Sequence, residues 1–296
     1  MRPPVRRSEK VKLLITGAAG QLGQALLRES GLLGLEAVAT DVPELDITDP
    51  QMVWQELSRQ RPEVVINAAA ATRVDALEAD PDGALRVNSL GPRNLAVACR
   101  RLGLKLVHIS TDYVFDGAKE GPYMEWDATG PLSVYGLSKL LGERYVREQC
   151  PDHFIVRTAW LYGHPGPNFV TAILAKGRSP QPGQDFKVVA DQRGAPTSAL
   201  ALAPQLLALA ATEAFGTYHA SCQGETTWFE FARHILAAAG LETPVRPCTT
   251  AEYPTPARRP ANSVLENRLL AVAGLDLMPS WQEAFRQFWE VYGDRL

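Results

Sequence analysis

Residues 11–26 read VKLLITGAAGQLGQAL and combine three signals that predict how the chain folds. An apolar run of strand length, VKLLIT, is followed by the glycine turn GAAGQLG and then by the helical sequence QALLRES. Glycine in such a turn permits a tight bend and lets a pyrophosphate approach the backbone amides at the start of a helix. The glycine spacing alone is weak evidence, but its position between a strand and a helix predicts a dinucleotide-binding turn. The alternative is a glycine-rich turn that binds no ligand.

Strand-length apolar runs alternate with helix-length amphipathic segments along the first half of the chain. The runs are VKLLIT, LEAVAT, EVVINAA, LKLVHIS and HFIVRT. This alternation is typical of the α/β class, in which a doubly wound parallel sheet carries helices on both faces. A proline at the start and Gly103 just past the end predict a helix over 81–102. Apolar residues at three- and four-residue intervals predict another helix over 134–149.

Proline and glycine become frequent past about residue 160, as in GHPGPN, GRSPQPGQ and YPTPARRPAN. We therefore expect residues 11–160 to form a dinucleotide-binding domain. Residues 161–296 are expected to form mainly a smaller substrate-binding region, with some segments returning to the sheet. Residues 1–10 (MRPPVRRSEK) have no apolar region of signal-peptide type behind them and are expected to be a short disordered extension.

The charge balance and the cysteines restrict the ligands, partners and compartment. The 296 residues contain 30 Lys and Arg against 33 Asp and Glu, so no overall basic field exists to attract nucleic acid. No apolar run is long enough to span a membrane. The four cysteines form no CxxC pair and do not cluster with histidines, which favours reduced thiols in the cytoplasm and no bound metal. A phosphate-bearing ligand must therefore be held by local features.

Asp41 follows the second predicted strand and lies about 20 residues beyond the glycine turn, where an acidic side chain can accept hydrogen bonds from an adenosine ribose. Its charge favours NAD over NADP, because a 2′-phosphate would meet a like charge and no arginine lies between Thr40 and Thr48. Asp46 and Ile47 follow closely and are predicted to border the adenine. The alternative for Asp41 is an ordinary turn or cap residue.

Tyr135 and Lys139 lie four residues apart at the start of a predicted helix, and Thr111 ends the fourth predicted strand. Residues with this spacing share one face of a helix. A nearby ammonium lowers the pKa of a tyrosine, ordinarily about 10, toward the range useful for general acid or base catalysis. The spacing is common and usually marks a solvated helix face, but the glycine turn and Thr111 favour a catalytic site.

The chain from Val11 onward resembles the extended short-chain dehydrogenase/reductase superfamily and, within it, the dTDP-4-dehydrorhamnose reductases. The marks of this narrower family are STDYVFDG, the Trp160 of RTAW, DQRGAPT and the RRPANS segment, which distinguish it from the wider set of sugar-nucleotide epimerases and dehydratases. The resemblance implies a Rossmann fold. It also implies reduction of the C4 ketone of dTDP-4-dehydro-β-L-rhamnose with NADPH or NADH, in the synthesis of an activated sugar.

The resemblance also assigns roles to individual residues. Tyr135 looks like the proton donor, Lys139 like its partner and a ligand of the nicotinamide ribose, and Thr111 like the hydroxyl that orients the substrate oxygen. Asn88 resembles an asparagine that supports the lysine through water, although an asparagine that bonds its own helix backbone is equally compatible. Besides Asp41, Asp46 and Ile47, the predicted cofactor contacts from the turn and the resemblance are Gly17, Gly20, Gln21, Leu22, Gly23, Ala69, Ala70, Ala71, Tyr135 and Lys139. Predicted substrate contacts are Thr72, Val74, Thr111, Asp112, Trp160, Asn168, Phe169, Gln192 and Arg259.

One departure and two alternatives accompany this resemblance. Some members of the family join subunits through magnesium held by an acidic residue of the first helix, but the corresponding residue here is Ala25. The sequence therefore argues against a magnesium-bridged dimer and leaves open whether the chain forms a homodimer. The first alternative is a related deoxysugar-nucleotide ketoreductase or epimerase. The second is a non-catalytic NADP-binding protein resembling the regulatory subunit of methionine adenosyltransferase. The presence of Thr111, Tyr135, Lys139 and Trp160 favours the enzyme.

Overall fold

The computed structural model describes residues 11–179 and 186–296, so the predicted extension over 1–10 lies outside the described residues. In chain order the strands and helices are β1 (Lys12–Thr16), α1 (Gln21–Leu32), β2 (Glu36–Thr40), α2 (Pro50–Gln60), β3 (Val64–Asn67), α3 (Val74–Leu77), α4 (Pro81–Leu85), α5 (Gly91–Leu102), β4 (Lys105–Thr111), α6 (Val134–Gln149), β5 (His153–Thr158), β6 (Leu161–Tyr162), α7 (Phe169–Arg178), β7 (Lys187–Val189), β8 (Arg193–Gly194), β9 (Thr197–Ser198), α8 (Ala199–Ala210), β10 (Gly216–His219), β11 (Thr226–Thr227), α9 (Trp228–Ala238), β12 (Arg246–Cys248), α10 (Arg268–Val272) and α11 (Trp281–Tyr292).

A six-stranded sheet in the order β2-β1-β3-β4-β5-β10 forms the centre of the molecule. All its neighbouring strands are parallel. The strand order reverses at β1, because β2 lies on one side of β1 and β3 lies on the other. The loops after β1 and β3 therefore diverge and leave a crevice at the carboxyl edge of the sheet, where ligands of such sheets bind. The predicted doubly wound parallel sheet is confirmed, and its five predicted runs form β1 to β5.

The strand residues alternate between two hydrophobic cores, one on each face of the sheet. Leu13 and Ile15 of β1 join the core that includes α1, α8 and α11. Leu14 joins the opposite core, with residues of α2 and α5. Burial on both faces is the reason why the strands of this parallel sheet read as continuous apolar runs.

The two predicted helices are present, and one contains a feature that the sequence did not predict. The segment from Pro81 to Leu102 is helical throughout, but residues Arg86–Leu90 form a π-helical turn between α4 and α5. The helical segment ends before Gly103, whose φ of 68° lies in the left-handed region that is common directly after a helix. Helix α6 begins after Ser133, whose Oγ accepts a hydrogen bond from the amide of Gly136.

The second half of the chain supplies both a sheet strand and several short strand pairs. Strand β10 extends the central sheet by pairing with β5. The short pairs are β6 with β9, β7 with β12, and β8 with β11. Within residues 11–179 and 186–296, no helix is both long and apolar enough to cross a bilayer, and no cluster of His, Cys, Asp and Glu suits a metal ion. Ala25 is buried in the core of the sheet face that packs α1.

Candidate active site

A cavity of about 1030 Å³ opens at the carboxyl edge of the sheet. This volume lies slightly above the range of about 300–1000 Å³ that is typical of small-molecule sites. The predicted site residues that line it are Gly17, Gly20, Gln21, Leu22, Gly23, Ala69, Ala70, Thr72, Val74, Thr111, Asp112, Tyr135, Lys139, Trp160, Asn168, Phe169, Gln192 and Arg259. The predicted residues outside this lining are Asp41, Asp46, Ile47 and Ala71.

At the base of this crevice, the glycine turn packs closely against the first residues after β3. A Cβ atom on Gly17 would lie 2.6 Å from the amide nitrogen of Ala69, and one on Gly23 would lie 2.3 Å from the carbonyl oxygen of Gly17. Gly17 also has a φ of 65°. Helix α1 begins directly behind this turn, and its first turn contains neither an acidic side chain nor a side-chain cap. The open amides at this positive helix end fit the pyrophosphate of a dinucleotide.

Of Asp41, Asp46 and Ile47, only Asp41 has a hydrogen bond to the glycine turn. The Asp41 Oδ2 accepts a hydrogen bond of 2.8 Å from the amide of Ala19, which lines the cavity. Asp46 accepts a hydrogen bond from the amide of Thr48 and so closes a local turn. The side chain of Ile47 is buried in the core, where it packs against Gly91. Of the three side chains, that of Asp41 is the one held at the cavity rim by its hydrogen bond.

Asn88 lies in the π-helical turn and ties the loop after β3 to helix α6. Its side chain accepts a hydrogen bond from the amide of Ala71 and donates one to the carbonyl oxygen of the same residue, both at 2.9 Å. It also donates to the hydroxyl of Ser138, between Tyr135 and Lys139. Asn88 thus forms hydrogen bonds with a neighbouring loop and with helix α6. It belongs to the π-helical turn, a feature that is frequent at functional sites.

Thr111, Tyr135 and Lys139 converge at the centre of the cavity. Thr111 ends β4, and its hydroxyl donates a 2.9 Å hydrogen bond to Oδ1 of Asp112. The Thr111 side chain also lies close enough to the phenol of Tyr135 to lower its pKa. The Nζ of Lys139 donates a 2.6 Å hydrogen bond to the carbonyl oxygen of Ile109 in β4. The strand and the helix therefore hold all three groups in one place.

Burial decides the ionisation of these groups. Desolvation raises the pKa of Tyr135 to about 12, against the opposing effect of the nearby Thr111 side chain. Desolvation also lowers the pKa of Lys139 to about 8, against the opposing charge of Glu143. The expectation that Lys139 lowers the pKa of Tyr135 toward neutrality is therefore wrong for the protein without ligands. Burial removes water from both the phenolate of Tyr135 and the ammonium of Lys139, which disfavours both charged forms. At neutral pH Tyr135 is a protonated phenol, which is the form that donates a proton.

Several predicted substrate contacts are engaged by other protein groups. Asn168 caps helix α7 through Thr171 and donates a 2.7 Å hydrogen bond to the carbonyl oxygen of Gly163. Gln192 donates to the hydroxyl of Thr250. The guanidinium of Arg259 forms a 2.8 Å ion pair with Asp75. These side chains line the cavity, but each is also held by a neighbouring segment.

Sequence reasoning missed a number of residues that line this cavity, and three of them make specific side-chain contacts. Trp228 lines it and stacks on Trp160, Tyr113 lines it next to Tyr135, and Asp75 pairs with Arg259. Trp228 lies in the TTWFEFA segment and Tyr113 in STDYVFDG, so the motifs pointed to both segments but not to these side chains. Asp75 has no comparable signal, because its partner is 184 residues away.

Comparison with known proteins agrees with this geometry. The family model described as RmlD substrate binding domain matches residues 11–293. A dTDP-4-dehydrorhamnose reductase of Burkholderia thailandensis is 43% identical, over 93% of this chain and 96% of the relative. A dTDP-4-keto-6-deoxy-D-glucose reductase of Streptomyces niveus is 40% identical, over 93% of this chain and 95% of the relative.

A solved structure with the same fold provides a further comparison. The dTDP-4-dehydrorhamnose reductase of Bacillus anthracis, crystallised in complex with NADP, matches with a TM-score of 0.92 and 40% sequence identity. The match covers 96% of this chain and 100% of that structure. With the family model spanning nearly all of the described residues, the chain belongs to the dTDP-4-dehydrorhamnose reductase family.

Proposed function

We propose that the chain reduces the C4 ketone of dTDP-4-dehydro-β-L-rhamnose to give dTDP-β-L-rhamnose, with NADPH or NADH as the reductant. The observation that carries this proposal is the convergence of Thr111, Tyr135 and Lys139 beside the glycine turn in one cavity. When bound, the nicotinamide cofactor supplies the hydride. The protein must then deliver a proton to the ketone oxygen as negative charge develops there.

The three side chains divide the remaining work. Tyr135 is protonated at neutral pH and donates its phenolic proton to the ketone oxygen. Thr111, placed by the end of β4 and by Asp112, orients that oxygen and stabilises its developing charge. Lys139, held against the carbonyl of Ile109, provides positive charge that stabilises the phenolate left after proton transfer. Preorganised groups of this kind stabilise the transition state more than the bound ketone.

A direct assay tests the proposed reaction. The purified protein is mixed with NADPH or NADH and with enzymatically prepared dTDP-4-dehydro-β-L-rhamnose, and the cofactor absorbance is followed. We expect consumption of at least one cofactor and formation of dTDP-β-L-rhamnose, identified by NMR. The absence of consumption with both cofactors, while a known reductase works in the same mixture, would show that the chain is not this enzyme.

A second candidate reaction is favoured by the Streptomyces niveus relative, whose name specifies dTDP-4-keto-6-deoxy-D-glucose. That ketone is the same as the proposed substrate except for its configuration at ring carbons that neither Tyr135 nor Thr111 is proposed to contact. The assay should therefore compare kcat/KM for the two sugars. A non-catalytic binding protein would bind the cofactor but reduce neither sugar.

The cofactor preference is a prediction that rests on Asp41. Replacing Asp41 with Asn keeps an oxygen that can accept the hydrogen bond from Ala19 but removes the charge beside the glycine turn. We expect the ratio of kcat/KM for NADPH to that for NADH to rise about tenfold, equivalent to about 1.4 kcal/mol, because a 2′-phosphate no longer meets a like charge. Glu44→Gln, which removes an exposed negative charge from the same loop but lies outside the cavity lining, is the matched control. An unchanged ratio in Asp41→Asn would remove Asp41 from the cofactor site.

The diphosphate of the sugar nucleotide is proposed to bind Arg259. Arg259→Met should weaken the binding of dTDP-β-L-rhamnose about 10- to 100-fold in calorimetry, because charge-assisted hydrogen bonds to the phosphates are lost. Asp75→Asn removes the partner of the ion pair but keeps the guanidinium, so its affinity should not fall. Equal losses in both variants would mean that Arg259 only anchors its segment and does not contact phosphate.

The compartment and the assembly are also part of the proposal. The four cysteines are buried free thiols, a state that the reducing cytoplasm maintains. We expect a homodimer, which sedimentation equilibrium of the purified protein would detect. A monomer across the tested concentrations would contradict this expectation.

A further inference from the structure

Trp160, between β5 and β6, has a backbone conformation that is rare for a bulky residue. Its φ is 47°, in the left-handed region that favours glycine. Among the described non-glycine residues, only Arg61 shares this feature, and Arg61 is an exposed residue after a helix. Strained residues persist where the surrounding structure holds them, and such positions concentrate at functional sites. The contacts of the Trp160 ring therefore indicate what holds it.

Three residues hold the indole of Trp160 on three sides. Its ring stacks on Trp228, with the centroids 3.5 Å apart and the planes 7° from parallel. Its Nε1 donates a 3.0 Å hydrogen bond to the hydroxyl of Ser263. A Cβ atom on Gly194 would lie 2.2 Å from Cε2 of the indole, so only glycine leaves room for the ring there. We call Gly194, Trp228 and Ser263 the indole clamp.

The clamp connects the wall of the cavity to the catalytic groups. Trp160 and Trp228 line the cavity, whereas Gly194 and Ser263 are absent from its lining. The Ser263 hydroxyl also lies beside the carboxyl group of Asp112 and lowers its pKa against the larger effect of burial. The Oδ1 of Asp112 in turn accepts a hydrogen bond from the hydroxyl of Thr111. A displacement of the indole would therefore alter the wall of the cavity close to Thr111 and Asp112. None of the clamp residues belongs to the glycine turn, so the same displacement should leave the cofactor side of the cavity unchanged.

We propose that Gly194 and Trp228 are positioning residues that fix the Trp160 indole as the apolar wall of the sugar subsite and so set the affinity for the dTDP-sugar. This proposal rests on the proposed function only for the identity of the sugar. Flat apolar surface suits the 6-deoxy carbon of such a sugar, because it removes a methyl group from water without requiring a hydrogen bond. Neither residue is proposed to contact the cofactor.

Gly194→Ala tests the clamp directly. The new methyl group has to displace the indole, so the KM and the calorimetric Kd for dTDP-sugar should rise about tenfold or more. The Kd for the cofactor should stay within about twofold of wild type. Gly31→Ala is the matched control, because a Cβ there would meet no atom within 4 Å. Circular dichroism and thermal unfolding confirm that each variant is folded.

Two further comparisons separate positioning from a general loss of structure. In a Trp160→Leu background the three indole atoms that would clash with the new methyl group are gone, so Gly194→Ala should cause no further rise in KM. Trp228→Phe keeps a flat partner and should retain most of the affinity, whereas Trp228→Leu should lose it. An equal effect of Gly194→Ala in both backgrounds, or a parallel loss of cofactor affinity, would overturn the proposal.

A spectroscopic measurement keeps this proposal independent of turnover. Two indoles stacked as closely as Trp160 and Trp228 give an exciton couplet in far-ultraviolet circular dichroism, which Gly194→Ala should reduce and Gly31→Ala should not. A wild-type protein that reduces neither sugar would refute the proposed function, while the couplet and calorimetry with dTDP-β-L-rhamnose would still test the clamp. A reduced couplet in Gly194→Ala with an unchanged affinity for dTDP-β-L-rhamnose would refute the proposed role of the indole clamp but not the proposed function.

Discussion

Replacing Tyr135 with phenylalanine is expected to lower kcat by about 10²- to 10⁴-fold, the usual contribution of a positioned general acid. The phenolic hydroxyl lies beside Thr111 in the cavity, and its raised pKa of about 12 keeps the proton available at neutral pH. Phenylalanine retains the ring and its edge-to-face contact with Tyr113 but has no proton to donate. The Kd for the cofactor, measured by fluorescence, should therefore remain close to that of the wild type.

The control for this variant lies on the same helix. Tyr145 belongs to α6 but is absent from the cavity lining, and its ring contacts the guanidinium of Arg93. Tyr145→Phe makes the same chemical change and should keep wild-type kcat. Wild-type turnover by Tyr135→Phe would show that another group donates the proton.

Replacing Glu143 with glutamine is expected to lower the free energy of unfolding by about 3–5 kcal/mol, because it leaves the buried guanidinium of Arg157 without a counter-charge. Both side chains are almost fully buried, and two 2.8 Å hydrogen bonds join them. Ser110 donates a further 2.6 Å hydrogen bond to Glu143. Loss of one partner therefore costs more than the pair itself contributes.

Urea denaturation of the variants measures this cost. Glu230→Gln removes one partner of an exposed pair with Arg233 and should leave the unfolding midpoint nearly unchanged. A double variant, Glu143→Met with Arg157→Met, removes both buried charges and should recover much of the lost stability. A small effect of Glu143→Gln would mean that water reaches Arg157.

Because Glu143 raises the pKa of Lys139, the Glu143→Gln variant should also lower the pKa of Lys139 further.

The local pattern of the chain was enough to predict the framework. The five apolar runs became β1 to β5, and the glycine turn lies between β1 and α1. The helix over 134–149 was also predicted correctly. These features follow from periodicity and from glycine and proline, which act over a few residues. The π-helical turn around Asn88 was not predicted, because it has no comparable local signal.

Long-range packing decided how the site residues behave. A tyrosine and a lysine four residues apart suggested mutual stabilisation, but burial by other segments raises the pKa of one and lowers that of the other. Similarly, the side chain of Ile47 was placed in the core by its contact with Gly91, although it follows Asp41 closely in sequence. Desolvation depends on what covers a group, and a linear pattern does not contain that information.

The sequence by itself determined the parallel α/β framework, the position of the glycine turn and the identity of the candidate catalytic residues. Only the tertiary structure decided their protonation, the pairing of Arg259 with Asp75 and the stacking of Trp160 on Trp228. The physical reason is the range of the interactions. Strand and helix signals arise from neighbouring residues, whereas burial, ion pairing and ring stacking depend on segments that meet only when the chain has folded.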